Sequence, residues 1–416
     1  MRDFIMGKTP HDYDITTSAL PDETIKVFKD YKVIPTGLKH GTVTVLAEEF
    51  PLEITTYRIE SAYSDNRHPD SVTFTRNLED DLSRRDFTVN ALAYNPDSGI
   101  TDIFGGVDDI KSQIIRCVGD ANQRFSEDAL RILRALRFAS VLGFDISPDT
   151  RDALFANKDL LKNVSAERIS EELIKLLCGV NAGKIITEYA DILGVIIPEI
   201  LPMKGFDQKN KHHMYDVLTH TAVAVDNVPP YKIQRLAMFF HDFGKPRCFS
   251  IDENGAGHFY GHQKISQSMA LDIMTRLRFD NNTKNKVSTL VEWHDAAIEN
   301  TPKAIKRILN KITPELFFLL LDIKRADTIA HRPDFTSRLT EIENSRIIAE
   351  SILQNEACFS LKDLAICGND LIDLGIPAGK KIGELLNIAL SAVINEEIKN
   401  DKREILSYIN DILRKV

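Results

Sequence analysis

Glu79-Asp80-Asp81-Leu82-Ser83-Arg84-Arg85-Asp86-Phe87-Thr88-Val89-Asn90-Ala91-Leu92-Ala93 is the stretch on which the reading of this chain turns. It sets two arginines beside an Asp and an Asn. Guanidinium groups suit bidentate contact with phosphate oxygens, and Asp and Asn can exchange hydrogen bonds with sugar hydroxyls. Taken alone, the same residues also read as a helix N-terminus with surface charges. The signals on either side decide between the two.

Upstream lies Asp12-Tyr13-Asp14. On a strand, alternate residues share a face, so these two carboxylates would point the same way and repel unless a cation lies between them. Two Mg²⁺ ions would suit, one activating an attacking hydroxyl and one holding leaving phosphates. Glu53, in the strand-like run Leu52 to Tyr57, could supply a third carboxylate; alone it reads equally as a surface Glu. Val43 to Leu46 is a second strand-like run, and Asn95-Pro96-Asp97-Ser98-Gly99 reads as a turn between strands. Downstream, Asp102-Ile103-Phe104-Gly105-Gly106 carries a glycine pair that permits a sharp turn. Then comes Arg124-Phe125-Ser126-Glu127-Asp128-Ala129-Leu130-Arg131-Ile132-Leu133-Arg134. The spacing predicts a helix with Asp128 and Arg131 on one face and Glu127 four residues before Arg131. Such an acceptor and donor can pair with a base edge; an isolated pair of this kind is more simply a helix salt bridge.

Helical periodicity begins at about Ser126 and dominates to the C-terminus. The expected segments are 1–119, 120–204, 205–340 and 341–416. The third holds most of the histidines: His220, His241-Asp242, His262 and His294, followed by Asp327. His and Asp together are ligands for Mn²⁺, Fe²⁺, Ni²⁺, Zn²⁺ or Mg²⁺. In the fourth, Gly379-Lys380-Lys381 opens a helix, which can present N–H groups and charge to a phosphate or can simply join two helices.

Composition limits the classes. At 416 residues the chain exceeds one ordinary core. Hydrophobic residues make up 43% and charged residues 27%, as in globular proteins. No apolar run approaches the roughly 18 residues of a membrane span, and the N-terminus is too charged for a signal peptide. Five scattered cysteines without a CxxC pair read as reduced thiols of a cytoplasmic protein. A net charge of −9 argues against indiscriminate nucleic-acid binding, so any contact with RNA must rest on local patches.

In order, DxD, LExTTYR, RRDFTxNA, DxFGG, EDALRxLRAxRF and Ser165-Ala166-Glu167-Arg168-Ile169 resemble class II tRNA nucleotidyltransferases and bacterial poly(A) polymerases. The resemblance covers residues 1 to about 175. It implies an α+β fold: a polymerase β-like head with a mixed sheet, then an all-helical neck, HD domain and tail. It implies Mg²⁺ on catalytic Asp12 and Asp14, to which Glu53, from the residue reading above, is added as a third catalytic carboxylate. It implies ribose and triphosphate contacts from Arg84, Arg85, Asp86 and Asn90, and nucleotide selection by Glu127, Asp128 and Arg131. Arg134 and Arg137 would add contacts to triphosphate or RNA. The chain begins Met1-Arg2-Asp3 where the family has Gly-Gly-x-Val-Arg-Asp, so Arg2 and Asp3 are assigned to the nucleotide and an in-frame Gly-Gly pair is expected upstream. Arg67-His68-Pro69 stands where the family usually has Arg-Arg-Pro in a mobile loop. The H…HD…H…H…D series resembles the HD phosphohydrolases, implying a divalent metal on His220, His241, Asp242, His262, His294 and Asp327, with Lys245 facing phosphate. Similar tails grip the tRNA elbow, which gives Lys380 and Lys381 to RNA. The expected partners are tRNA, CTP and ATP, with no membrane; the sequence leaves the oligomeric state open. The rival readings are a poly(A) polymerase and an HD phosphohydrolase with an inactive RNA-binding head.

Overall fold

The computed structural model describes residues 1–10, 13–47, 50–60, 71–209, 214–331, 336–355 and 357–415. Asp12 and the loop residues Arg67, His68 and Pro69 lie outside them. The chain divides into two compact units, Met1–Lys204 with Ile273–Phe279, and Gly205–Asp272 with Asp280–Val416.

The first unit opens on a four-stranded sheet of strands β1 (Asp14–Thr17), β2 (Lys32–Gly37), β3 (Thr42–Ala47) and β4 (Phe50–Thr56), in the order β1-β4-β3-β2. β4 runs parallel to β1 and antiparallel to β3, so the sheet is mixed. Alternation along the strands buries Val43, Val45 and Ile54, packed against Ile25, Phe28 and Val33. The helix Pro21–Val27 starts with Pro at its first turn, and Glu23 accepts the Leu20 N–H at 2.7 Å. The predicted strands and the turn at Asn95–Gly99 all form; the turn joins Leu92–Asn95 to Gly99–Asp102 as a hairpin.

Beyond it, Asp102 takes the N–H groups of Gly106 and Val107 at 2.8 Å each, so the DxFGG stretch caps the helix Gly106–Ser112. Gly105 has φ +73°, and a Cβ on Gly106 would lie 2.2 Å from the Thr88 carbonyl oxygen. The glycine pair therefore lets this helix lie against the segment after Arg85-Asp86. The expected helix through Glu127, Asp128 and Arg131 is broken. One helix spans Ala121–Glu127 and the next Leu130–Leu142, with Asp128 extended between them at φ −134°, ψ 103°. The break frees the Asp128 carboxylate to accept the Leu130 N–H at 3.1 Å, a local bond that competes with continuous helix. Leu130–Leu142 buries Ile132, Leu133, Ala135, Leu136 and Ala139 completely, and packs on Ala166–Leu177.

The second unit is helical apart from the short pair Ser250–Ile251 and Gly257–His258. Val217–Asn227, Lys232–Phe240, Asn281–Trp293 and Pro314–Ala330 pack on one another. Its last part has a core of its own, including Leu371, Leu385, Leu390, Ile405 and Ile409.

Gly106→Ala forces its methyl group into the Thr88 backbone. We expect it to destabilise the first unit by roughly 1–3 kcal/mol or more, read as a lower urea midpoint. Gly99→Ala is its control, since a Cβ there meets nothing within 4 Å and only its φ of +77° is strained.

Candidate active site and metal centre

The sheet register sets the first carboxylates together. Asp14 pairs with Glu53 across the parallel ladder, and Thr44 faces Glu53 from the other side. Ile54 points to the buried face, so Asp14 and Glu53 occupy the open one, both exposed. Among the described residues neither forms an ion pair with Lys, Arg or His. Two adjacent acidic side chains without a cationic partner suit a hard divalent cation.

The arginine pair is fixed from beneath by a residue that sequence reasoning left out. Asp81 is fully buried; its Oδ1 accepts Arg84 Nε at 3.0 Å and Nη2 at 2.8 Å, and its Oδ2 lies 3.5 Å from Arg85 Nη2. Glu60 adds a 3.2 Å contact to Arg84 Nη1. Asp81 sits three and four residues before the arginines, which follow the end of its helix Leu78–Ser83, and that spacing was the available signal.

Asp86 is buried as well. Its Oδ2 takes Arg134 Nε at 2.8 Å and Nη2 at 2.6 Å, while its Oδ1 takes Asn90 Nδ2 at 3.1 Å and the Phe87 N–H at 2.9 Å. Burial alone would raise its pKa, but Arg134, Asn90 and the Phe87 N–H hold it below the usual carboxylate range. Arg2 donates to Asn90 Oδ1 at 2.7 Å and pairs with Asp3 at 2.9 Å. The Phe138 ring carries three guanidinium groups, Arg137 at 3.9 Å, Arg2 at 5.1 Å and Arg134 at 5.4 Å. Arg137 is paired with buried Glu172 at 2.7 Å.

Asp128 and Arg131 are each held by another side chain. Asp128 is bound by Arg168 at 2.9 Å, whereas Arg131 is bound by Glu127 at 2.6 Å and donates to the carbonyls of Arg124 and Arg84, both at 3.1 Å. Arg131 thereby ties the break between the two helices to the arginine pair. Arg168 lies in the Ser-Ala-Glu-Arg-Ile motif, which the sequence marks without giving it a partner.

The second cluster lies wholly in the second unit. His241 and Asp242 follow the helix Lys232–Phe240, clamped by edge-on contacts among Phe239, Phe240 and Phe243. A Cβ on Gly244 would lie 2.6 Å from the His262 carbonyl oxygen, so only Gly lets this turn meet the helix that carries His262. All six expected residues converge. His220 Nε2 is 2.9 Å from Asp327 Oδ1 and 3.5 Å from Asp242 Oδ2; His241 Nε2 is 3.1 Å from Asp242 Oδ2. On the other oxygen, Asp242 Oδ1 lies 3.5 Å from His262 Nε2 and 3.8 Å from His294 Nε2. Asp242 is common to two groups of ligand atoms, one with His220 and His241 and one with His262 and His294, and Asp327 joins through His220. Lys245 Nζ is 2.6 Å from Asp242 Oδ2 and donates to Gln208 at 3.0 Å.

The donors fit a divalent metal. Both Asp242 oxygens and His241 Nε2 are buried without a well-formed hydrogen bond, despite the ion-pair approaches of Lys245 and His241. His262 and His294 turn Nε2 atoms on each other at 3.1 Å, where one proton at most can sit. Burial lowers His294 to about 3, with His241 and His262 adding to the shift. Burial also lowers His241, but Asp242 and Asp327 overcome it and push it up to about 9. Asp242 and Asp327 stay well below the carboxylate range despite burial, held by the surrounding imidazoles and, for Asp242, Lys245. Lys324, which donates to the His294 carbonyl at 2.8 Å, is lowered to about 8 by burial. Lys380 and Lys381 are exposed at the start of Lys380–Ile394, and Lys380 lies 3.6 Å from Glu384.

Three family models match: the poly A polymerase head domain over residues 1–116, the RNA and SrmB-binding site of polymerase A over 143–202, and tRNA nucleotidyltransferase domain 2 over 258–409. A CCA-adding enzyme of Lactobacillus johnsonii is 34% identical over 417 residues, covering 99% of this chain and 91% of the relative. The chain belongs to the CCA-adding enzyme family. It thus stands among the tRNA nucleotidyltransferases, whose reaction class depends on divalent metal. A relative from Geobacillus thermodenitrificans is 33% identical over 415 residues, covering 98% of this chain and 90% of its own. The crystal structure of the Bacillus stearothermophilus CCA-adding enzyme in complex with CTP superposes with a TM-score of 0.72 at 29% identity, covering 100% of this chain and 91% of that one. The fold is therefore the expected one, a polymerase β-like head on a helical body. Among the described residues no helix is long and apolar enough to cross a membrane.

Asp81→Asn leaves Arg84 and Arg85 without their buried anion. We expect the KM for CTP and ATP to rise roughly tenfold or more, while Asp81→Glu retains part of the affinity. An unchanged KM in folded Asp81→Asn would show that the arginines are positioned some other way.

Proposed function

We propose that this chain adds CCA to the 3′ end of tRNA from CTP and ATP, without a nucleic-acid template. The observation that carries the reading is the full-length kinship with CCA-adding enzymes, which favours CCA over poly(A) addition. In the reaction the RNA 3′-hydroxyl gives up its proton and bonds to the α-phosphorus, the bond to the bridging oxygen breaks, and pyrophosphate leaves. Asp12, Asp14 and Glu53 would hold Mg²⁺, which when bound activates the hydroxyl and neutralises the leaving phosphates. Arg84, Arg85, Arg134, Arg137 and Arg2 grip the triphosphate, each pre-set on a carboxylate, carbonyl or ring. Asn90, held between Arg2 and Asp86, faces the ribose, and Asp3 orients Arg2. Asp86 holds Arg134. Asp128, with Arg131 and Glu127, selects the base, which requires the Arg168–Asp128 pair to open or to share its acceptor. The work divides among a head (1–119), neck (120–204), HD segment (205–340) and tail (341–416), with Lys380 and Lys381 touching tRNA. Free cysteines and a tRNA substrate suit the cytoplasm.

The buried His/Asp cluster supports a second reading alongside the first, a metal-dependent phosphohydrolase. His220, His241, Asp242, His262, His294 and Asp327 would hold the metal, which when bound polarises a phosphoester and activates water. Lys245 lies where it can take up phosphate charge.

Purified protein incubated with tRNA lacking CCA should incorporate CMP twice and AMP once. A long run of AMP would overturn the CCA assignment. Asp14→Asn should slow incorporation by roughly a hundredfold or more with tRNA affinity unchanged. Asp128→Ala should relax discrimination among the four NTPs by about 1–3 kcal/mol. Wild-type selectivity in that variant would remove Asp128 from base recognition.

A further inference from the structure

The six-residue ligand series leaves out a histidine that the structure brings to the same place. His331 ends the helix Pro314–Ala330, four residues after Asp327. One of its ring nitrogens lies within 4.8 Å of ligand atoms of both His220 and Asp327, and its Nδ1 is 3.9 Å from Asp327 Oδ1. Its ring meets that of His220 edge-on, 5.0 Å between centroids.

A regularity in the tautomers points to what it does there. Nδ1 of His220 lies 3.3 Å from the Ala330 carbonyl, that of His241 2.6 Å from Met238, that of His262 2.9 Å from Phe259 and that of His294 2.6 Å from Val291. A carbonyl oxygen only accepts, so Nδ1 carries a proton in each, and Nε2 is the atom left to offer a lone pair to a metal. Locking one ring nitrogen on a backbone carbonyl is how a metal-ligating histidine is oriented. His331 shares the backbone half of the arrangement, with Nδ1 2.7 Å from the Asp327 carbonyl and 3.9 Å from Asp327 Oδ1, which leaves Nε2 as its one possible donor atom. Half-buried His258, by contrast, meets the Asp252 carboxylate through Nε2.

Resting on the reading of this cluster as a metal centre, we propose that His331 is a further ligand of the cation held by His220, His241, Asp242 and Asp327, through its Nε2 lone pair. Among the described residues, the neighbouring position, on Asp242 Oδ1 with His262 and His294, gains no such donor. The first position then offers three imidazoles and two carboxylates. Such a nitrogen-rich set favours a transition metal over Mg²⁺, which prefers oxygen donors and retained water.

The test uses the full chain, stripped of metal by chelation and titrated with Co²⁺. Equilibrium binding and the visible d–d band, whose position and intensity report ligand number, are both followed. Wild type should take up Co²⁺. His331→Ala should bind at the His220 position at least tenfold more weakly with an altered band, and His331→Asp, which restores a donor, should recover most of the affinity. Wild-type affinity and band in His331→Ala would overturn the proposal alone. Equal weakening in both variants would overturn it too, by giving His331 a structural role only. No Co²⁺ uptake by wild type would overturn the metal-centre reading with it.

Discussion

The first unit is organised around one buried anion. Asp86 is out of water with both oxygens occupied: Arg134 takes one by two N–H donors, Asn90 and the Phe87 N–H take the other. Desolvating a carboxylate costs several kcal/mol, which only such complete pairing offsets. The pair joins the Arg84-Arg85-Asp86 element, which follows the sheet, to the helix Leu130–Leu142. Several other groups of the site are tied to that joint. Asn90 carries Arg2, Arg134 lies over Phe138 with Arg2 and Arg137, and Arg131 reaches back to the Arg84 carbonyl. The guanidinium groups thus meet a triphosphate with their entropy already spent on internal partners.

The second unit solves a different electrostatic problem. Two aspartates and several imidazoles are packed where water cannot reach most of them, and the imidazoles are driven apart in proton affinity. His294 is driven down to about 3 while His241 is driven up to about 9. A divalent cation would take the place of the proton on His241 and balance the two carboxylates. The aromatic clamp of Phe239, Phe240 and Phe243 and the glycine at Gly244 supply the rigidity such a centre needs.

Much of this was legible in the sequence because the informative residues are close together in it. β3, β4 and the hairpin turn at Asn95–Gly99 follow from alternation and turn chemistry. The six His and Asp positions were legible as a set, although only folding shows that Asp242 stands between two groups. Other features escaped. The break at Asp128 has no proline or glycine to announce it; it depends on Asp128 bonding the Leu130 N–H and on Arg168, 40 residues away. Glu172, beneath Arg137, is likewise a tertiary partner of a kind that helical periodicity cannot reveal. His331 has no motif around it in the sequence, and only the fold brings its ring beside His220.

The central claim is that the Asp86–Arg134 pair couples the arginine element to the helix behind it. A double-mutant cycle of Asp86→Asn and Arg134→Gln, read by equilibrium CTP binding and by urea unfolding, tests this directly. The account predicts strong non-additivity, with a coupling of about 2 kcal/mol or more in both readouts. Effects that simply add, to within about 0.5 kcal/mol, would contradict it.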